Sequence, residues 1–204
     1  AVNTIYLHQG QLTGENTDAS GFIADLNRLV SGTQRIDRQV HKSALILGAG
    51  GSARAVAYAL SRAQWQVTIA ARRIEQAQSL AADISQVDVL PLSLIPLNPT
   101  ELSYQSPDLF VNTTPVGRYP DVNASPWPEE IALPPHASVY DLVYNPQETK
   151  LVQRARKSGL LATTGLGMLI EQAALSFHRW TGMQVSDQTK CDAHKLAAET
   201  MPSI

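Results

Sequence analysis

The stretch "LILGAGGSARAVAYAL", Leu45 to Leu60, decides the fold. A wholly apolar run, Ala44 to Leu47, predicts a short parallel strand buried on both faces. An alanine-rich run, Ser52 to Ala63, predicts a helix. Between them, Gly48, Gly50 and Ala53 fit the pattern G-x-G-x-x-G/A, with Ala49, Gly51 and Ser52 completing the loop. Gly48 would permit the tight turn. Gly50, without a side chain, would let a pyrophosphate approach the backbone. Ala53 is small enough for close helix–strand packing. The helix start would then offer free N–H groups and a positive dipole end. The alternative is a plain glycine-rich turn, but the required context of strand before and helix after is present.

The next strand, Gln66 to Ala71, supplies a second test. An NAD site usually carries Asp or Glu at its end, to hold the ribose 2′-hydroxyl. Here Ala71, Arg72 and Arg73 stand there instead. A guanidinium can clasp a 2′-phosphate through several donors and stack on adenine, so the expected cofactor is NADP. A solvated basic helix start is the alternative, but cations in a first turn oppose the helix dipole.

Outward from this core, strands and helices alternate. Helices are expected at Ile74–Ala82, Thr149–Ser158, Met168–Trp180 and Ser186–Met201. Strands are expected near Val87 and at Asp108–Val111, Ser138–Leu142 and Leu160–Thr163. That series implies an α/β fold, a doubly wound parallel sheet with helices on both faces. The proline-rich stretch from Gly117 to Ala137 can hold little regular structure. Upstream, Ala1–Leu7 and Gln11–Glu15 read as a hairpin turning at Gln9-Gly10, and Asp18–Val30 reads as a helix followed by a polar loop. The hairpin does not belong to the series and is expected to end a different α/β domain. The resulting division is 1–18 hairpin, 19–43 connecting helix and loop, 44–185 dinucleotide-binding domain and 186–204 closing helix.

Composition excludes several classes. The chain has 204 residues, 44% hydrophobic and 17% charged, with a net charge of −2. Nothing there suggests nucleic acid or an anionic membrane as a partner. No apolar run approaches the ~20 residues that span a bilayer, and no signal peptide is visible. The single cysteine, Cys191, allows no intrachain disulfide and fits a reducing, cytoplasmic setting. Cys191 and His194 have C-x-x-H spacing without a second pair, so no metal site is expected.

The segments "AVNT", "NTDASG", "GAGGSARAVAYAL", "FVNTTPVG", "DLVYNP" and "GLGMLIEQAALSFHRWTG" occur in the order seen in shikimate dehydrogenases. The chain resembles that family from Ala1 to Gly182. The resemblance implies a substrate domain followed by a Rossmann domain, and reversible, NADP-dependent reduction of 3-dehydroshikimate to shikimate. It implies that Asn3, Asp18, Tyr144 and Gln172 bind substrate, with Asp18 also pairing with a catalytic lysine. It assigns Gly48 to Ser52 and Ala71 to Gln76 to NADP. It assigns Thr113, Pro115, Val116, Leu142, Gly165 and Met168 to the nicotinamide half.

Two positions depart from the family pattern. Ala71-Arg72-Arg73 replaces the common Asn-Arg-Thr/Ser, and Arg118 follows Gly117 where Met is usual. The family's lysine and Ser-x-Ser motif lie upstream of "AVNT". None of Lys42, Lys150, Lys157, Lys190 or Lys195 has the matching context. The expectation is therefore a cofactor domain plus the last hairpin of the substrate domain, about 80 residues short of the whole. Such a chain would not turn over by itself. The expected partner is a small-molecule substrate, in a monomer or homodimer. A broader quinate/shikimate activity or a non-catalytic NADP-binding module are the alternatives. Taken alone, Asp18 could also be only a helix cap, Tyr144 a strand-end turn residue and Gln172 an exposed helix residue. His178 reads as solvated.

Overall fold

The computed structural model describes residues 2–31, 42–85, 87–91 and 107–200. The polar loop from Gly32, the proline-containing segment before Pro107 and Met201 lie outside the described residues.

Two sheets form. Strands β1 (Thr4–His8) and β2 (Gln11–Glu15) make an antiparallel hairpin with His8 opposite Gln11. Its turn residues Gln9 and Gly10 both have positive φ, 51° and 80°, the tight turn that matches strand twist. Helix α1 (Asp18–Ser31) follows. The second sheet has six parallel strands: β3 (Ser43–Leu47), β4 (Gln66–Ala71), β5 (Val87–Pro91), β6 (Leu109–Asn112), β7 (Ser138–Asp141) and β8 (Ala162–Thr164). Their order is β5-β4-β3-β6-β7-β8. The remaining helices are α2 (Gly51–Arg62), α3 (Ile74–Ala82), α4 (Lys150–Lys157), α5 (Leu166–Thr181) and α6 (Asp187–Thr200). This is the Rossmann-type doubly wound sheet, with its switch point between β3 and β6.

Alternation along each strand feeds two cores. Ala44 and Ile46 face Phe22 and Leu26 of α1, Val56 and Leu60 of α2, and Leu80 of α3. Leu45 and Leu47 face the opposite layer, where Leu151, Val152 and Ala155 of α4 meet Trp127. Because α1 inserts Phe22 and Leu26, it is built into the sheet's packing.

Most boundaries in the parallel-sheet domain fall within one residue of the sequence expectation, and two are displaced by two residues. Strand β8 starts at Ala162, where pairing with Val139 begins, although Leu160 and Leu161 are apolar enough to read as strand. Helix α5 starts two residues early, at Leu166, because Gly165 caps it against the end of β7.

The α1–α5 crossing is unusually close. A Cβ at Gly21 would lie 2.8 Å from the Gln172 backbone nitrogen, and one at Gly167 would collide with the Asp25 carboxylate. Below that crossing, the Tyr140 hydroxyl donates to Asp25 Oδ2 at 2.5 Å. Burial pushes the Asp25 carboxyl up despite that bond. Arg28 bridges Asp25 and Glu171, and Lys190 of α6 reaches Glu171 at 3.0 Å. Burial alone would raise the Glu171 carboxyl, but those two cations hold it below the ordinary range.

Candidate functional site

The chain leaves β3 through Gly48, whose φ is +106°. A Cβ there would also sit 2.7 Å from Thr113 Oγ1, so conformation and space both demand glycine. The turn is pinned on both sides. Gly48 N–H donates to the Ala70 carbonyl at 2.9 Å, and Thr113 N–H to the Leu47 carbonyl at 3.0 Å. Gly50 and Gly51 are different: a Cβ at either would meet nothing within 4 Å. They border open space at the start of α2, where Gly50 offers no side-chain cap. Backbone donors, a positive dipole end and empty volume together form an anion cradle. Ala53 is fully buried and serves packing, while Ala49 is half-buried and Ser52 exposed.

One strand over, β4 ends at buried Ala71, in register with the turn because Leu47 pairs with Ala70. Arg72, Arg73 and Gln76 are exposed. Among the described residues neither guanidinium of that pair has a hydrogen-bond or ion-pair partner. Arg54 of α2 is unlike them, tied to Asp83 at 2.5 Å. Two uncommitted guanidiniums beside an anion cradle suit a second phosphate, so these residues fit NADP.

On the other side of the switch point, a cavity of about 340 Å³ joins Ser52 to Thr113, Pro115, Leu142 and Tyr144. Val116 lies half-buried beside it in sequence. Gly165 presses on the Leu142 carbonyl so closely that a Cβ would collide with it. Met168 is 8% exposed and packs into the apolar core. Beneath the cavity, Asn112 and Asp141 end β6 and β7 opposite one another. Burial pushes the Asp141 carboxyl up to about 6.

A separate polar cluster gathers three elements. Asn3 precedes β1, Asp18 opens α1 and Gln172 lies on α5. Asn3 Nδ2 donates to Thr17 Oγ1 at 2.9 Å, Asp18 Oδ1 at 2.8 Å and Gln172 Oε1 at 3.3 Å. Its Oδ1 accepts from Thr17 N–H at 2.8 Å. An amide has two N–H donors for these three oxygens, and Thr17 Oγ1 can itself donate to Gln172 Oε1 at 3.4 Å. Asp18 Oδ2 has no partner among the described residues. The cluster is therefore acceptor-rich and suited to a ligand that brings hydroxyl or ammonium donors. The α1 cap is Asn16, whose Oδ1 accepts from Ala19 N–H at 3.0 Å, which leaves the Asp18 carboxylate to this cluster. Tyr144 is not in the cluster. It stands 41% exposed in the wall of the cavity at the end of β7.

Sequence reasoning missed the residues behind these groups. Ser176 Oγ lies 2.6 Å from Thr4 Oγ1 and 3.1 Å from Thr17 Oγ1, buried behind Asn3. Asn112, Asp141 and Thr149 form the network beneath the cavity. Their available signal was a polar residue ending an apolar strand, as in "LFVN" and "SVYD".

Comparison with known proteins agrees with this architecture. The Shikimate / quinate 5-dehydrogenase family model matches residues 31–104. The Shikimate 5′-dehydrogenase C-terminal domain model matches 165–189. The shikimate dehydrogenase (NADP(+)) of Symbiobacterium thermophilum is 38% identical over 99% of this chain and 68% of its own length. The chain belongs to the shikimate dehydrogenase family. The counterpart from Shouchella clausii is 41% identical over 89% of the chain, which spans 63% of that relative's length. The shikimate dehydrogenase of Thermus thermophilus, solved with NADP(H) and shikimate, superposes with a TM-score of 0.78 at 36% identity. That match covers 97% of this chain and 68% of the solved one. Within this family architecture, the glycine turn and the Arg72-Arg73 pair lie on one side of the switch point. The Tyr144 cavity lies on the other.

Proposed function

We propose that this chain is the cofactor half of an NADP-dependent oxidoreductase that interconverts 3-dehydroshikimate and shikimate. Residues 44–185 are the cofactor domain, and the hairpin up to Asp18 belongs to the substrate side. The observation that carries the reading is the exposed Arg72-Arg73 pair, without a partner among the described residues, beside the open Gly50-Gly51 cradle.

In this reading Gly48 to Ala53 hold the pyrophosphate through the first N–H groups of α2. Arg72 and Arg73 neutralise the 2′-phosphate, with Gln76 beside them. Thr113, Pro115, Val116, Leu142, Gly165 and Met168 shape the nicotinamide end. Bound NADPH supplies the hydride that reduces a ketone, and the protein orients it. Asn3, Asp18 and Gln172 bind the substrate through the acceptor-rich cluster, which favours a polyhydroxylated acid. Asp18 Oδ2 accepts a donor from a substrate hydroxyl or from the lysine that the family resemblance implies. Tyr144 reaches the substrate from the cofactor side. The family description names quinate beside shikimate, and the same acceptor cluster serves either hydroxy acid.

Calorimetric titration of the chain tests the cofactor. NADP should bind at least tenfold more tightly than NAD, and Arg72→Ala should weaken NADP roughly ten- to a hundredfold while sparing NAD. Equal affinities in the parent chain would overturn it. Turnover of the complete gene product with shikimate and quinate separates the two substrates.

A further inference from the structure

We propose that Asp141 is a positioning residue for the nicotinamide half of the cofactor, binding the loops after β6 and β7 into one rigid floor; this rests on the NADP reading. Asp141 is fully buried. Its Oδ1 accepts from Asn112 Nδ2 at 2.8 Å and from Val143 N–H at 3.1 Å. Its Oδ2 accepts from Thr149 Oγ1 at 2.7 Å. Asn112, also fully buried, passes the constraint on: its Oδ1 accepts from Thr114 N–H at 2.9 Å and Thr114 Oγ1 at 2.7 Å. Thr149 in turn caps α4 by accepting from Val152 N–H at 3.2 Å. One carboxylate thus fixes both loops that wall the cavity, together with the helix that follows the second.

The choice of residue is costly for the fold alone. No cation pairs with Asp141 among the described residues, and a buried carboxylate without a counter-ion is expensive. Strands β3 and β4 end on apolar Leu47 and buried Ala71, so the sheet itself does not require a charge at a strand end. What requires it is the donor set. Three donors converge from separate segments, and only an acceptor-only side chain satisfies all of them; Asn would turn its own N–H toward one. Of the groups held in this way, Thr114 and Val143 line the cavity, beside Thr113, Leu142 and Tyr144. The switch point puts β4 on the adenosine side and β6 and β7 on the opposite side. Hydride transfer punishes small displacements of the reacting ring, which is the demand a rigid floor meets.

The test is Asp141→Asn, titrated with NADP and with adenosine 2′,5′-bisphosphate, which carries the 2′-phosphate but no nicotinamide. NADP affinity should fall roughly tenfold, while the bisphosphate binds within twofold of the parent. Thr149→Val, which deletes one donor, should show a smaller loss with the same selectivity, and Thr149→Ser should restore parent behaviour. This pair carries the test if Asp141→Asn does not fold. Parallel loss of both ligands, or no loss of either, overturns the positioning role. A parent chain that binds neither ligand overturns the cofactor reading beneath it, an outcome distinct from the other two.

Discussion

Asn112 and Asn3 are both side-chain amides at the centre of a polar cluster, yet their surroundings differ. Asn112 is wholly buried, and both its amide nitrogen and its amide oxygen meet a complementary group from a neighbouring strand end or loop. Asn3 is exposed, gathers groups from three elements and faces more acceptors than it has protons to give. The first cluster is closed and holds shape. The second is open and has bonding capacity to spare. The difference teaches where ligand chemistry can enter: a saturated network can only position its neighbours, while an unsaturated one can bind.

The widest expected gap between the two lies in stability. Asn112→Ala strips donors and acceptors from groups that water cannot reach, including the Asp141 carboxylate, and should cost about 3 kcal/mol. Asn3→Ala removes an exposed side chain, so water can enter the space it leaves, and the variant should cost about 1 kcal/mol. Urea unfolding of both variants checks this, and equal losses would erase the distinction.

A somewhat smaller effect concerns pH. The Asp141 carboxyl is pushed up to about 6 by burial, above its unfolded value, so the folded state holds this proton more tightly. Its contribution is present at low pH and is lost as pH rises through about 6. The stability of the parent relative to Asp141→Asn should therefore be about 2 kcal/mol greater at pH 4.5 than at pH 7.5. Denaturant midpoints of the two proteins at each pH measure it. A pH-independent difference would mean that Asp141 is solvated.

The smallest effect sharpens the open cluster. Asn16→Ala should cost about 1 kcal/mol through loss of the α1 cap. Asp18→Asn should cost less than half of that, because the amide oxygen introduced there can still accept from Asn3. Thermal melts of both variants decide which residue caps the helix.

The sheet was legible because parallel strands buried on both faces must be apolar throughout, and α2, β4 and α3 lie where periodicity and glycine put them. Family resemblance points to Asn3, Asp18, Tyr144 and Gln172 as substrate residues, and the structure brings Asn3, Asp18 and Gln172 together while Tyr144 stands apart. The network of Asn112, Asp141 and Thr149 was not legible. Its bonds join Asp141 to a strand end 29 residues before it and to a helix cap 8 residues after it, and local pattern carries no record of such pairings. Ser176, hidden on an amphipathic helix, gave no signal for the same reason. The cap at Asn16 was readable in type but competed with a better-placed acid two residues on.

Helix α5 works as a ruler. Its N-cap, Gly165, bears on the Leu142 carbonyl, and seven residues later Gln172 meets Asn3. Those two turns measure out about 10 Å between the floor of one cluster and the edge of the other. Because the graduations are helical, a single residue inserted between Leu166 and Glu171 would do more than lengthen the interval. It would swing Gln172 about 100° around the helix axis and off the scale.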